Sequence, residues 1–322
     1  MNSYVERRSF LAAAEPSASL RGAEVGEAIR QQAARHPGRP AFLHKRHGRW
    51  FSFTWAYVRQ ETARLEAVLR AQDAPQRGRE IRLAVSGPYD PDLVLLALAA
   101  LTLGGKVYAL DPEQAGEELG RALATIAPTH AFVQGRRAIG AWLETRPAAA
   151  VPLFVTRPFI HGNEAWTVVP LRDPADALAP AALSRPEPAA GGVVWVDETT
   201  HWQGGLASII DAVLDEGLTV AFPETGASAL RDRRERQPAA LLLSAARRGR
   251  LIEEDRARRG AQGSLVRRLT DWAEHSSGFV AHLVNRRRLA VLGLAGLEHP
   301  HLPVAAPTRA AALTARRVDA TV

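Results

Sequence analysis

The sequence predicts an α/β fold, layered α-β-α with mostly parallel sheets, and three observations carry that reading. Short apolar runs of strand length recur at 81–85, 107–110, 131–133, 151–155, 193–196 and 218–222. Between most of them lie segments whose apolar residues repeat at helical spacing. Pro, Gly and Asp stand at the junctions, where helices start and stop. Strands that alternate with helices in this way pair in parallel and are covered by the helices.

Taken in order, Gly26 to Ala34 reads as a short amphipathic helix closed by His36-Pro37-Gly38. Pro40 to Lys45 and Arg49 to Phe53 read as strands joined by a turn at His47-Gly48. Thr54 suits an N-cap, and the helix behind it runs to about Gln72, with Pro75 and Gly78 ending it. Asp90-Pro91 opens a helix through Leu103, and Gly104-Gly105 closes it before the strand Val107 to Leu110. Glu113 to Ile126 and Arg137 to Glu144 are helices flanking the strand Ala131 to Val133, and Val151 to Val155 follows as a strand. Alternation resumes with strand Val193 to Val196, helix Leu206 to Leu214 and strand Leu218 to Phe222. Ala240 to Leu243 is then expected as a strand, followed by arginine-rich helices to about Ala273 and a strand at Leu289 to Leu292.

The organisation expected from this pattern is an N-terminal arm (1–23), a first α/β subdomain (24–172), a Pro/Ala-rich linker (173–190), a second α/β subdomain with arginine-rich helices (191–298) and a loosely ordered tail (299–322). The chain of 322 residues is long enough to bury a substantial core. It has no cysteine, which excludes disulfide scaffolds, thiolate metal sites and cysteine nucleophiles together. The net charge of +7 is regional. Arg231 to Arg288 holds 15 arginines against 7 acids, a local +8, and the rest of the chain balances to −1.

Glu6-Arg7-Arg8-Ser9-Phe10-Leu11 superficially fits a twin-arginine export signal, but Ala12-Ala13-Ala14 runs straight into Glu15-Pro16 and leaves no apolar region. The longest apolar run, Leu93 to Leu103, is well short of the roughly 18–20 residues that span a bilayer. A soluble, cytoplasmic protein without a transmembrane segment is the expectation.

Five stretches occur in a telling order. They are Arg35-His36-Pro37-Gly38-Arg39-Pro40-Ala41, Gly48-Arg49-Trp50-Phe51-Ser52-Phe53-Thr54-Trp55, and Gly104-Gly105-Lys106-Val107-Tyr108-Ala109-Leu110-Asp111-Pro112, then Gly217-Leu218-Thr219-Val220-Ala221-Phe222-Pro223-Glu224 and Arg236-Gln237-Pro238-Ala239-Ala240-Leu241-Leu242-Leu243. This succession resembles the N-terminal part of long-chain fatty-acyl-CoA synthetases, in the AMP-binding, adenylate-forming superfamily. The resemblance covers most of residues 24–295. It implies the N-terminal subdomains of such an enzyme, without the small C-terminal lid domain.

Members of that superfamily make an acyl-adenylate from a carboxylate and ATP, and synthetases pass the acyl group to coenzyme A. Adenylation needs a Gly- and Ser/Thr-rich loop whose amides cradle the triphosphate, of the form Thr-Ser-Gly-Thr-Thr-Gly-x-Pro-Lys-Gly. The nearest string here is Asp197-Glu198-Thr199-Thr200-His201-Trp202-Gln203-Gly204-Gly205, in which acids precede the threonines and no lysine follows. By its spacing to Gly217, His201 fits the family's later histidine motif, which borders the acyl pocket. The phosphate loop then reads as collapsed into the 173–190 linker. The family's ribose-binding aspartate and lysine-bearing lid would lie beyond the last residue, and Lys45 and Lys106 are both too early to replace that lysine.

Thr199, Thr200, His201 and Trp202 are therefore the candidate ligand-binding residues, at a vestigial groove at the carboxyl end of a strand. The alternative for this string is packing and turn formation. The arginines of 231–288 are read mainly as a solvated helical face with intrachain partners such as Glu253, Glu254 and Asp255. The sparse aromatics there, Trp272 and Phe279, argue against a base-stacking platform, so nucleic acid is not the expected partner. His44 with His47, and His299 with His301, lack third ligands, so no metal site is expected. No catalytic residue is assigned.

The leading expectation is a non-catalytic relative, a pseudoenzyme of fatty-acid metabolism. It would need no cofactor and act by binding a partner protein, a family enzyme, or an acyl or nucleotide ligand. The alternative is half of a split acyl-CoA ligase, which would need ATP with Mg²⁺ and coenzyme A. A third, weaker reading is a basic nucleic-acid or membrane-surface binder.

Overall fold

The structure is a computed structural model, and it describes residues 22–72, 80–156, 162–172, 181–182, 193–258, 265–276 and 278–296. The first half of the element order is α1 (Gly22–Arg35), β1 (Pro40–Arg46), β2 (Arg49–Thr54), α2 (Trp55–Gln72), β3 (Arg82–Ser86), α3 (Pro91–Thr102), β4 (Lys106–Leu110), α4 (Gly116–Ile126), β5 (His130–Val133), α5 (Arg136–Leu143), β6 (Val151–Val155) and β7 (Trp166–Pro170). There follow β8 (Ala181–Ala182), β9 (Val193–Trp195), α6 (Gly205–Leu214), β10 (Thr219–Phe222), α7 (Ala229–Arg236), β11 (Ala240–Leu241), α8 (Ala245–Arg258), α9 (Leu265–His275) and α10 (Phe279–Val291).

These elements form two compact units. The first takes described residues within Met1–Arg39, Phe53–Pro180 and Thr199–Ile210, and the second those within Pro40–Ser52, Ala181–Glu198 and Asp211–Val322. In the first unit five strands lie in the order β4-β3-β5-β6-β7, each pair parallel. Ala84, Ala131, Val133, Leu153, Val155 and Trp166 pack beneath α4 and α5. On the other face α3 is the central helix. Its residues Leu93 to Leu101 are all buried, which is why that run carries no amphipathic period. His130 stacks on Phe154 at 6.2 Å and meets the Leu69 carbonyl of α2 at 3.2 Å, tying that helix to the same face.

Because β3 comes first in sequence but sits between β4 and β5, the chain reverses direction across the sheet there. Such a switch point leaves the carboxyl ends of neighbouring strands open to a loop or ligand. Asp90 caps α3 by accepting from the Leu93 amide at 2.9 Å, as its place before Pro91 predicts. Thr54 likewise accepts from the Tyr57 amide at the start of α2.

In the second unit six strands run β11-β9-β10-β1-β2-β8. The pairs β11·β9, β9·β10 and β10·β1 are parallel, and β2·β8 is antiparallel. His47 and Gly48 both take positive φ, the conformation a two-residue hairpin turn requires. Leu43, Trp50, Trp195 and Ala221 of the strands pack against Ala229, Leu251 and Leu289 of α7, α8 and α10.

Four elements differ from the sequence reading. The strand expected at Leu289 to Leu292 is the end of α10 and the turn after it, because Ala281, Asn285 and Leu289 bury one face at a four-residue repeat. A short apolar run cannot by itself separate a strand from a buried stretch of helix. Strands β7 and β8 and helix α7 lie at positions where no element was expected. The 173–190 segment lies outside the described residues apart from β8, as do 1–21 and the tail from 297.

Candidate functional site

The 199–202 segment lies at the carboxyl ends of β3 and β4, within the first unit. Pro88 and Thr199 form an antiparallel bridge. Thr200 has no exposed surface. Its amide donates to the Gly87 carbonyl at 2.9 Å, and its hydroxyl accepts from the Gly87 amide at 3.0 Å. That hydroxyl also donates to the Leu110 carbonyl at 2.6 Å. One threonine thus satisfies backbone groups at the ends of two parallel strands, groups that would otherwise be buried without partners.

The neighbours complete a tight turn. The Trp202 amide donates to the Thr199 carbonyl at 3.0 Å, and the Trp202 carbonyl accepts from the Gly205 amide at 2.9 Å and the Tyr89 hydroxyl at 2.7 Å. A Cβ at Gly205 would lie 2.6 Å from the Tyr89 ring and 2.7 Å from the Trp202 indole, so this glycine lets both rings close over the start of α6. Gly87, at φ +144°, lies so close to Gln134 that a Cβ there would meet it at 2.7 Å. Gln134 in turn donates to Asp90 at 2.8 Å. The switch point is filled by side chains of the chain itself.

His201 behaves differently. Its side chain is 61% exposed, and its Nδ1 lies 2.6 Å from Asp111 Oδ2. The other Asp111 oxygen accepts from the Glu113 amide at 2.9 Å, which fixes the carboxylate. A carboxylate on Nδ1 holds the ring in one orientation and selects the tautomer in which Nε2 can accept a proton or a hydrogen bond. This oriented imidazole is the group in the segment suited to meet a ligand.

Of the four sequence candidates, Thr199 and Thr200 support the turn, Trp202 packs over Gly205, and His201 alone presents an exposed, oriented side chain. Asp111 was not among the candidates. Its signal lay in the Leu110-Asp111-Pro112 string, which puts a carboxylate directly after a parallel strand.

The acids preceding the threonines belong to the second unit. Asp197 accepts from Arg247 at 2.8 and 3.1 Å and pairs with the fully buried Arg233 at 3.5 Å. Glu198 accepts from the Ser244 amide at 2.7 Å. Both lysines are ion-paired within the chain. Lys45 is buried between Glu235 at 2.6 Å and Asp232 at 3.0 Å. Burial alone would depress its ammonium, but those carboxylates outweigh burial and hold it above its ordinary value. Lys106 pairs with Glu80 at 3.2 Å. Among the described residues no group of three His, Asp or Glu side chains is placed to hold a metal ion.

Residues 29–183 match the family described as AMP-binding enzyme. That segment is just under half of the 322 residues. The fold is similar to those of several solved structures. Coronafacic acid ligase from Pectobacterium brasiliense superposes with a TM-score of 0.53 at 12% identity, covering 84% of this chain and 59% of that one. IdnL1 superposes with a TM-score of 0.51 at 17% identity, covering 84% and 58%. Acetoacetyl-CoA synthetase from Streptomyces lividans is similar at 18% identity and a TM-score of 0.49, over 73% of this chain and 44% of that one. The chain thus spans less than two-thirds of each of these structures. No curated protein matches its sequence. Among the described residues no helix is long and apolar enough to cross a membrane.

Proposed function

We propose that this chain is a non-catalytic AMP-binding-family protein that acts by binding. Its His201–Asp111 pair would face an acyl ligand or a partner protein. The observation that carries the reading is the state of Thr200. Of the two threonine hydroxyls that the 197–205 string offers to a phosphate, that of Thr200 has no exposed surface and is spent on Gly87 and Leu110. A second observation supports it. Residues 171–192, between β7 and β9, contain one serine, no threonine and no lysine. They therefore lack the threonines and the lysine that a triphosphate cradle of the family's form uses.

Isothermal titration with ATP and Mg²⁺ tests this reading. The expected result is no heat of binding at sub-millimolar nucleotide. Sub-millimolar binding accompanied by pyrophosphate release overturns it and favours the split-ligase alternative. That alternative further requires a second polypeptide carrying the phosphate loop and the lysine, without which no acyl-CoA forms.

A further inference from the structure

Every large hydrophobic side chain that is exposed among the described residues lies on α9 or α10. On α9 these are Leu265, Leu269 and Trp272, spaced four and three residues apart and so on one stripe. On α10 they are Phe279, Val280, Leu283 and Val291, opposite the face through which Ala281, Asn285 and Leu289 are buried. Leu265 is 75% exposed and Phe279 82%. The two helices are neighbours, joined where the Asn285 side chain donates to the Ala273 carbonyl at 2.6 Å. An apolar cleft of about 420 Å³ opens between them and α8, with Leu269, Val284, Val291 and Leu292 in its lining.

Arginines border this apolar surface. Arg287 lines the cleft and falls between Leu283 and Val291 on the exposed stripe of α10. Arg286 and Arg268 flank the two stripes, and all three are exposed. Other arginines of the region are engaged within the chain. Arg247 and Arg258 pair with Glu254, Arg288 pairs with Asp255, and Arg233 is buried.

We propose that the α9–α10 face docks on an anionic lipid bilayer, lying in the interface without spanning it. Two helices with Leu, Trp and Phe on one stripe and arginines along its edges have the character of interfacial membrane helices. A bilayer offers the matching pair of layers, acyl chains for the stripe and acidic headgroups for the arginines. A second copy of the chain fits less well, since docking this face on itself brings like-charged arginines together.

Co-sedimentation of the full chain with vesicles tests this. Phosphatidylcholine alone is compared with phosphatidylcholine containing phosphatidylglycerol, at low and high salt. The expected result is retention on the anionic vesicles at low salt and release at high salt. The double variant Arg286→Glu/Arg287→Glu should lower partitioning by about tenfold or more. Trp272→Ala/Phe279→Ala should lower it comparably, with both variants keeping the wild-type circular dichroism because the changed side chains are exposed. Brominated lipid should quench tryptophan fluorescence in the wild type but not in Trp272→Phe. No retention at low salt, or equal retention of wild type and variants, overturns the proposal. So does concentration-dependent self-association, abolished by the same substitutions, in a chain that vesicles do not retain.

Discussion

Thr200 donates to the Leu110 carbonyl and accepts from the Gly87 amide, while the adjacent His201 has most of its ring in solvent. Thr200→Val removes the hydroxyl and keeps the shape, leaving two buried backbone groups without a partner. The expected cost is about 2–6 kcal/mol, given roughly 1–3 kcal/mol for each unsatisfied group. His201→Ala should fall within about 0.5 kcal/mol of wild type, as exposed substitutions do. Urea unfolding of the two variants checks the contrast, and equal losses would contradict it. Asp232 gives a pH dependence. Burial would raise its carboxyl, but the Ser228 hydroxyl, the Glu224 amide and the Lys45 ammonium together hold it below its ordinary value. The unfolded chain then binds that proton more readily than the folded one. The stabilisation is therefore complete well above pH ~4, the ordinary carboxylate value, and is lost as the pH falls through the folded value below it. Urea midpoints between neutral and acid pH should fall more steeply for wild type than for Asp232→Asn, and parallel curves would count against this role.

At the scale of elements, what could be read from the sequence follows from how each one is stabilised. Helix α3 was legible because Asp90-Pro91 and Gly104-Gly105 bracket it with local chemistry. Asp90→Ala should cost about 1–2 kcal/mol, the usual loss for a cap, with a further loss because Gln134 also donates to Asp90. A cost in thermal unfolding below a few tenths of a kcal/mol would show that the cap does not hold the helix. Helix α7 was not legible. It buries Asp232, Arg233 and Arg236, so the face that faces inward is charged and no apolar period marks it. The end of α10 misled for the opposite reason, since Leu289, Ala290, Val291 and Leu292 are apolar in succession although only one helix face packs on the core. The candidate turn was half legible. His201 stood out by its type and spacing, whereas the demand for glycine at 205 depends on Tyr89, 116 residues earlier in the chain. Gly205→Ala should destabilise by about 1–3 kcal/mol through overpacking against the Tyr89 and Trp202 rings, measured by the same unfolding method.

Across the whole molecule, a net charge of +7 that is ordinary in size is unusual in placement. Part of the arginine surplus is structural, holding Asp197, Glu254 and Asp255 in the second unit. Three others, Arg268, Arg286 and Arg287, border the apolar surface of α9 and α10. Both sheets are mostly parallel α/β sheets, while the segment where a phosphate cradle of the resembled form is expected carries neither a lysine nor a threonine. Binding without adenylation is the function we propose from that combination. The most direct measurement is ATP–pyrophosphate exchange by the purified chain, with Mg²⁺ and a panel of short- to long-chain carboxylic acids. The account predicts no exchange above background with any acid. Acid-dependent exchange by the chain alone would contradict it.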